Sequence, residues 1–265
     1  MSSGIGTDEL AWRSWRAAVT GWREFLALNP PRVLALSVVP RAGLQLVFFA
    51  LLGQLVGGPA QRNYNIVGML AFSLTALTVV MVSDVPVVDK ESDTFWRIRT
   101  GRVKPFLVML ARSWPYPATG FLCVLLLTVC VIAVMGADGP GPRLIWLLPC
   151  YALMAVTTTA IGLAGAVLAL GRRVDILVSN LLSYGILLCS GAVLPTGRIE
   201  WLDRIGSVLP MRHGLAAVRA GLSGQPVAAE LLAEAAVGGI WLTVAAVTVA
   251  LLVRRARRVG DDHFG

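Results

Sequence analysis

Six apolar runs recur along this chain, at 33–56, 64–88, 114–135, 144–170, 176–194 and 233–253, and most of its charge lies between them. A helix of about 20 apolar residues crosses the ~30 Å hydrocarbon core of a bilayer, and it satisfies its own backbone there. The chain is 56% apolar and 14% charged. Soluble proteins average about 45–50% and about 25%. The expectation is an all-α polytopic membrane protein with six transmembrane helices. One membrane domain, 33–253, would follow a cytoplasmic N-terminus, 1–32, and precede a basic tail, 254–265. The net charge of +8 reads as inside-positive bias rather than as a nucleic-acid surface. Sixteen of the 23 Lys and Arg fall in segments this topology places inside, six fall outside, and Arg41 lies within the first run. That asymmetry puts both termini in the cytoplasm.

Ahead of the first run, Trp12, Trp15, Val19, Trp22 and Leu26 recur at three- and four-residue steps beside Arg13, Arg16 and Arg23. This pattern fits an amphipathic helix over 10–28 lying flat at the inner interface, ended by Asn29-Pro30-Pro31. The first thirty residues lack the apolar core and cleavage site of a signal peptide. The four cysteines all lie in apolar runs without CxxC spacing, and read as small buried hydrophobes rather than disulfides or metal ligands.

Several polar residues interrupt the runs. Arg41 lies eight residues, about 12 Å of helix, inside the first run, and shares a face with Gln45 four residues on. Either the pair lines a substrate path, or Arg41 reaches back to the interface and pairs there. Gly53-x-x-x-Gly57 reads as a helix end rather than a contact motif, followed by a short external turn at 58–63. Asp84, with Pro86, suggests a break before the charged stretch that follows, and is expected to pair with a nearby cation.

Two segments fit neither a span nor a solvated loop. Residues 89–104 interleave Phe95, Trp96, Ile98 and Val103 with Arg97, Arg99, Arg102 and Lys104. Each such cation costs about 2.5–3.5 kcal/mol at mid-membrane, so the segment is a surface helix or a plain cytoplasmic loop. Residues 195–230 mix Trp201, Ile205, Leu209 and Leu215 with Arg198, Asp203, Arg212 and Arg219, broken by Gly and Pro. Two short external re-entrant helices between spans 5 and 6 would fit.

No G-x-x-x-x-G-K-[ST], HExxH or G-x-S-x-G occurs. His213, beside Arg212, has no partner spacing that suggests catalysis. An intramembrane lipid enzyme would need ionisable groups converging at one depth, whereas Arg41, Asp84 and Asp175 lie near interfaces or apart.

Two stretches resemble the membrane subunits of ABC-2 type exporters, a group that includes bacterial drug-resistance and polysaccharide permeases. Glu91-Ser92-Asp93-Thr94 with Arg97 and Arg99 is similar to the family's Glu-x-Gly-Thr and basic helix. Asp93 stands at the family's Gly, and Arg102 stands where a Pro is expected. Gly191, Pro195, Trp201, Leu209-Pro210, His213, Arg219 and Gly224 resemble the family's pattern after the fifth span. The likeness runs nearly the full length.

The resemblance implies two permease subunits, identical or related, around a central path in the bacterial plasma membrane. An ABC ATP-binding subunit would dock on each, two copies in all. ATP and Mg would be held by those partners, and this chain would bind no cofactor or metal. Asp89, Glu91, Thr94, Phe95, Arg97, Arg99 and Arg102 would form the coupling helix seated in the ATPase. Pro195, Trp201, Leu209, Pro210 and His213 would belong to an external gate. The expected cargo is an amphipathic or hydrophobic drug, antibiotic or lipid-like metabolite moved outward. A lipid-linked glycan, or a role as a non-transporting anchor of an ATPase complex, is the alternative.

Overall fold

The computed structural model describes residues 7–91, 103–135, 140–169, 175–197 and 199–259. Among these, every regular element is a helix. Helix α1 is Thr7–Leu28. After the Asn29-Pro30 turn, α2 (Pro31–Val33), a wide π-helical turn (Leu34–Val38) and α3 (Val39–Phe72) run on without a gap. Gly58 folds α3 in two: its φ of 68° and ψ of −159° suit a residue without a Cβ. The expected turn at 58–63 is therefore a single residue, and Pro59 already starts the return limb. Gly53 and Gly57 prove to be contact positions, not merely a helix end. A Cβ on Gly53 would lie 2.7 Å from Asn65 Nδ2, and one on Gly57 2.7 Å from Gln61 Cβ. The limbs are tied where Asn65 Nδ2 donates to the Phe49 carbonyl at 2.9 Å.

The return limb loses regularity past Phe72. A π turn (Ala76–Val80) and a 3-10 turn (Met81–Ser83) precede α4 (Asp84–Glu91). Ser73, Thr75, Thr78 and Ser83 each donate their hydroxyl to a carbonyl three or four residues back. Such bonds compete with the helix ladder and bend it. The irregularity thus falls ahead of Asp84 rather than at Pro86. Pro86 sits in the first turn of α4, where its missing N–H costs nothing.

The chain continues through α5 (Pro105–Ser113), α6 (Pro115–Met135), α7 (Gly141–Trp146), α8 (Leu148–Ala169) and α9 (Asp175–Cys189). It ends with α10 (Glu200–Gly206), α11 (Arg212–Leu222) and α12 (Ala228–Val259). Among the described residues, four helical stretches are long and apolar enough to cross a membrane: Pro31–Val88, Pro105–Met135, Leu148–Ala169 and Ala228–Arg254. The first has 58 residues, about 87 Å if straight, and fits a bilayer only because it doubles back. Helix α9 stops short of the expected 194 because Gly191, at φ 78°, turns the chain.

Helix α8 is the axis of the bundle, buried along most of its length and packed along α12. It also meets α6, α9 and the irregular stretch. Gly162 lets α8 press onto the Thr78 carbonyl, a close backbone approach of the kind small residues permit between helices in lipid. Thr78 Oγ1 and Thr158 Oγ1 add a buried hydrogen bond at 2.9 Å across the same contact. Of the cysteines, Cys130 departs from the expected burial and is exposed.

The second half of α1 docks on α5 and the start of α6. Trp22 stacks on Trp114 at 5.2 Å, and Phe25 meets Tyr116 edge-on at 5.0 Å. Trp114 Nε1 donates to the Ala18 carbonyl at 2.9 Å. Glu24 pairs with the buried Arg112 at 2.8 Å. Trp12 and Trp15 remain 60% and 64% exposed, apolar area that suits a membrane surface.

Candidate functional site

A cleft of about 190 Å³ opens between the outward limb of α3, the irregular stretch and α9. Arg41 and Gln45 share it because they lie one turn apart on one helix face. Phe72, Ser73, Thr75, Val80 and Met81 form the facing wall, and Asn180, Ser183 and Tyr184 form the third. The irregular backbone lines this cleft, which is where broken helices are tolerated at membrane depth. Arg41 makes no ion pair or hydrogen bond among the described residues. Arg41 is an exposed residue of the cleft, and a cation at mid-membrane costs about 2.5–3.5 kcal/mol. Ser183 is 5% exposed, and its hydroxyl has no hydrogen-bond partner among the described residues.

The other constellation is a cap of two short helices, α10 and α11, over one end of the bundle. Its organising residue is Glu234 of α12, fully buried. Glu234 Oε1 accepts from Thr157 Oγ1 at 2.6 Å and from the Met211 amide at 2.8 Å. Oε2 accepts from the Gly214 amide at 2.9 Å. A carboxylate from a distant helix thus caps the N-terminus of α11, where orphan amides need acceptors. Met211 presents its amide from a left-handed conformation, φ 81°, the one such non-glycine among the described residues.

The remaining cap contacts are polar too. His213 Nδ1 lies 2.8 Å from Glu230 Oε2. Arg212 bridges to the Asp203 carboxylate at 3.0 Å and to the Asp203 carbonyl, while Asp203 Oδ2 accepts from the Gly197 amide at 2.8 Å. Trp241 Nε1 on α12 donates to the Val208 carbonyl at 2.8 Å. On the far side, the Arg219 guanidinium lies over the Tyr64 ring at 3.6 Å. Arg219 Nη2 and the Tyr64 hydroxyl both donate to the Gly191 carbonyl at 2.8 Å. The return limb of α3, the turn after α9 and α11 therefore meet at one oxygen.

Of the residues expected at a gate, Leu209, Pro210 and His213 gather at the Glu234 end of the cap. Pro195 lines a separate small cavity with Asp203, and Trp201 faces outward, 62% exposed. Asp84 lines a cavity with Glu24, Arg112 and Tyr116. Thr94, Phe95, Arg97, Arg99 and Arg102 lie outside the described residues, as does His263; Asp89 and Glu91 are described only as helix backbone. Glu234 and Tyr64 were not anticipated. Glu234 carried a readable signal, since a carboxylate inside an apolar run marks a functional position by default. Tyr64 carried none.

A chain whose described elements are all helices, with apolar stretches long enough to cross a membrane, a cleft lined by polar side chains and a hydrogen-bonded cap, has the parts of a transport subunit. Residues 17–223 match the family model described as ABC-2 type transporter. The chain belongs to this family: it is a permease subunit of an ABC transporter, a membrane transport component rather than a catalyst. No curated protein matches it.

Proposed function

We propose that this permease subunit works in an ATP-driven exporter, carrying an amphipathic or hydrophobic compound out of the cell. Six spans are assigned: the two limbs of α3 extended by α4, α5 with α6, α8, α9, and α12. Both termini lie in the cytoplasm, supported by the concentration of Arg and Lys in 1–32, 89–112, 171–175 and 254–258. The observation that carries the reading is the cleft around Arg41 and Gln45, lined by polar side chains and walled by three helical segments. Its size favours a compact cargo over a glycan chain. Two copies of the permease, or this chain and a relative, enclose the path.

The stretch from Asp89 to Arg102, with Glu91, Thr94, Phe95, Arg97 and Arg99, receives the push from an ABC ATP-binding subunit docked on each permease. That partner holds ATP and Mg. Pro195, Trp201, Leu209, Pro210 and His213 belong to the external gate, which Glu234 and Arg219 hold to the bundle. Packed interfaces switch between discrete arrangements, so rigid helices suit this transmission.

The test is co-expression of the tagged chain with an ABC ATPase, purification, and reconstitution into vesicles. The expected result is a stable complex that drives ATP-dependent accumulation of a fluorescent amphiphile in inside-out vesicles. A chain that retains no ATPase, or a complex that hydrolyses ATP and moves nothing, overturns the reading.

A further inference from the structure

We infer that the cleft selects a cargo bearing an anionic group, a carboxylate, sulfate or phosphate, on an apolar body. This rests on the cleft being the cargo path. Arg41 is permanently charged, and it has no counter-ion among the described residues. None of the residues lining the cleft is Asp or Glu, so its electrostatic character is set by one cation. A cationic cargo would meet like charge there, and a neutral one would leave the guanidinium unanswered.

Three neighbours complete an anion site. Gln45 and Asn180 each offer an amide N–H donor whichever way the carboxamide is turned. The Ser183 hydroxyl is buried and unpartnered on the same wall, and such a group is normally satisfied in a finished structure. An anion on Arg41 would accept from it. Phe72 and Met81, on the facing wall, supply apolar surface for the body of the ligand. A charged head held by a fork of donors, beside an apolar wall, is how a pocket orients an amphiphile.

The test uses the full-length chain in phosphatidylcholine nanodiscs, titrated with dodecyl phosphate, dodecanol and dodecyltrimethylammonium, with empty discs subtracted. Dodecyl phosphate should bind at least tenfold more tightly than either comparator. Arg41→Gln should abolish that preference with unchanged elution and melting. Arg41→Lys, which keeps the charge, should retain most of it, and Ser183→Ala should weaken it about threefold. Discs containing phosphatidylglycerol separate two anion sources: lost dodecyl phosphate binding identifies a lipid headgroup, and undiminished binding a soluble amphiphile. No preference in the wild type, or a preference that survives Arg41→Gln, overturns the inference. A chain that prefers the anion yet moves nothing in the vesicle assay sinks export and leaves the anion site standing. Vesicle export by Arg41→Gln, with no anion preference in either chain, does the reverse.

Discussion

Replacing Glu234 by Gln tests the cap with almost no change in volume. The amide oxygen can still accept from Thr157 and the Met211 amide, but its NH₂ then faces the Gly214 N–H, donor against donor. One buried amide is left unsatisfied, at about 1–3 kcal/mol, and two hydrogen bonds lose their charge assistance. The combined cost should be about 2–4 kcal/mol, concentrated on the first turn of α11. Even 2 kcal/mol corresponds to about 30-fold in a local opening equilibrium. Hydrogen exchange read by mass spectrometry over 211–216 should therefore accelerate about 30-fold or more in Glu234→Gln. Exchange in the middle of α8 should change much less. If the 211–216 amides exchange within twofold of the wild type, Glu234 does not hold the cap.

Three further outcomes are expected. Tyr64→Phe removes one hydroxyl from the Gly191 carbonyl and should cost about 1 kcal/mol. A melting curve of the purified chain should show a small downward shift, and an unchanged curve would make that contact dispensable. Glu24→Gln and Arg112→Gln should each make α1 easier to cleave by limited proteolysis. Their double-mutant cycle should show coupling of about 1 kcal/mol, discounted because Glu24 is partly exposed. Additive effects would mean the pair does not dock α1. Glu91→Ala with Arg97→Ala should leave membrane insertion and ATP hydrolysis intact while abolishing export; normal export by that variant would count against the coupling role.

Much of the helical plan was legible because hydrocarbon imposes one rule on every residue in turn. The starts near Pro31 and Pro115, and the ends near Leu28 and Met135, follow from proline, charge and apolar length, all local properties. What escaped was the outcome of contacts between distant residues. The one-residue reversal at Gly58 depends on Gly53 and Gly57 meeting Asn65 and Gln61, which a linear pattern cannot register. The shift of the helix break to 73–83 depends on four hydroxyls turning back to their own carbonyls. Arg41 and Gln45 could be placed on one face, but not Asn180 and Ser183 opposite them. In the cap, Pro195, Leu209 and His213 were marked by resemblance, while Glu234, which fastens the Met211 and Gly214 amides beside the last two, stood inside a run read simply as a span.

The close approaches at glycine also divide the molecule into a keel and a leaf. Gly162 seats α8 against the Thr78 carbonyl, and Gly68 seats the return limb of α3 against the Ala192 carbonyl. Main chain bears on main chain at both points, with no side chain between to change rotamer and absorb a displacement. The return limb, α8 and the turn after α9 must then travel together. Gly43, on the outward limb, meets only the tip of Leu127, and Gly165 meets α9 through the methyls of Leu182 and Val178. Those joints can slide. The outward limb ahead of its ties at Phe49 and Gly53, and the body of α9, are thus the pieces freest to swing, and they carry Arg41 and Asn180 with them.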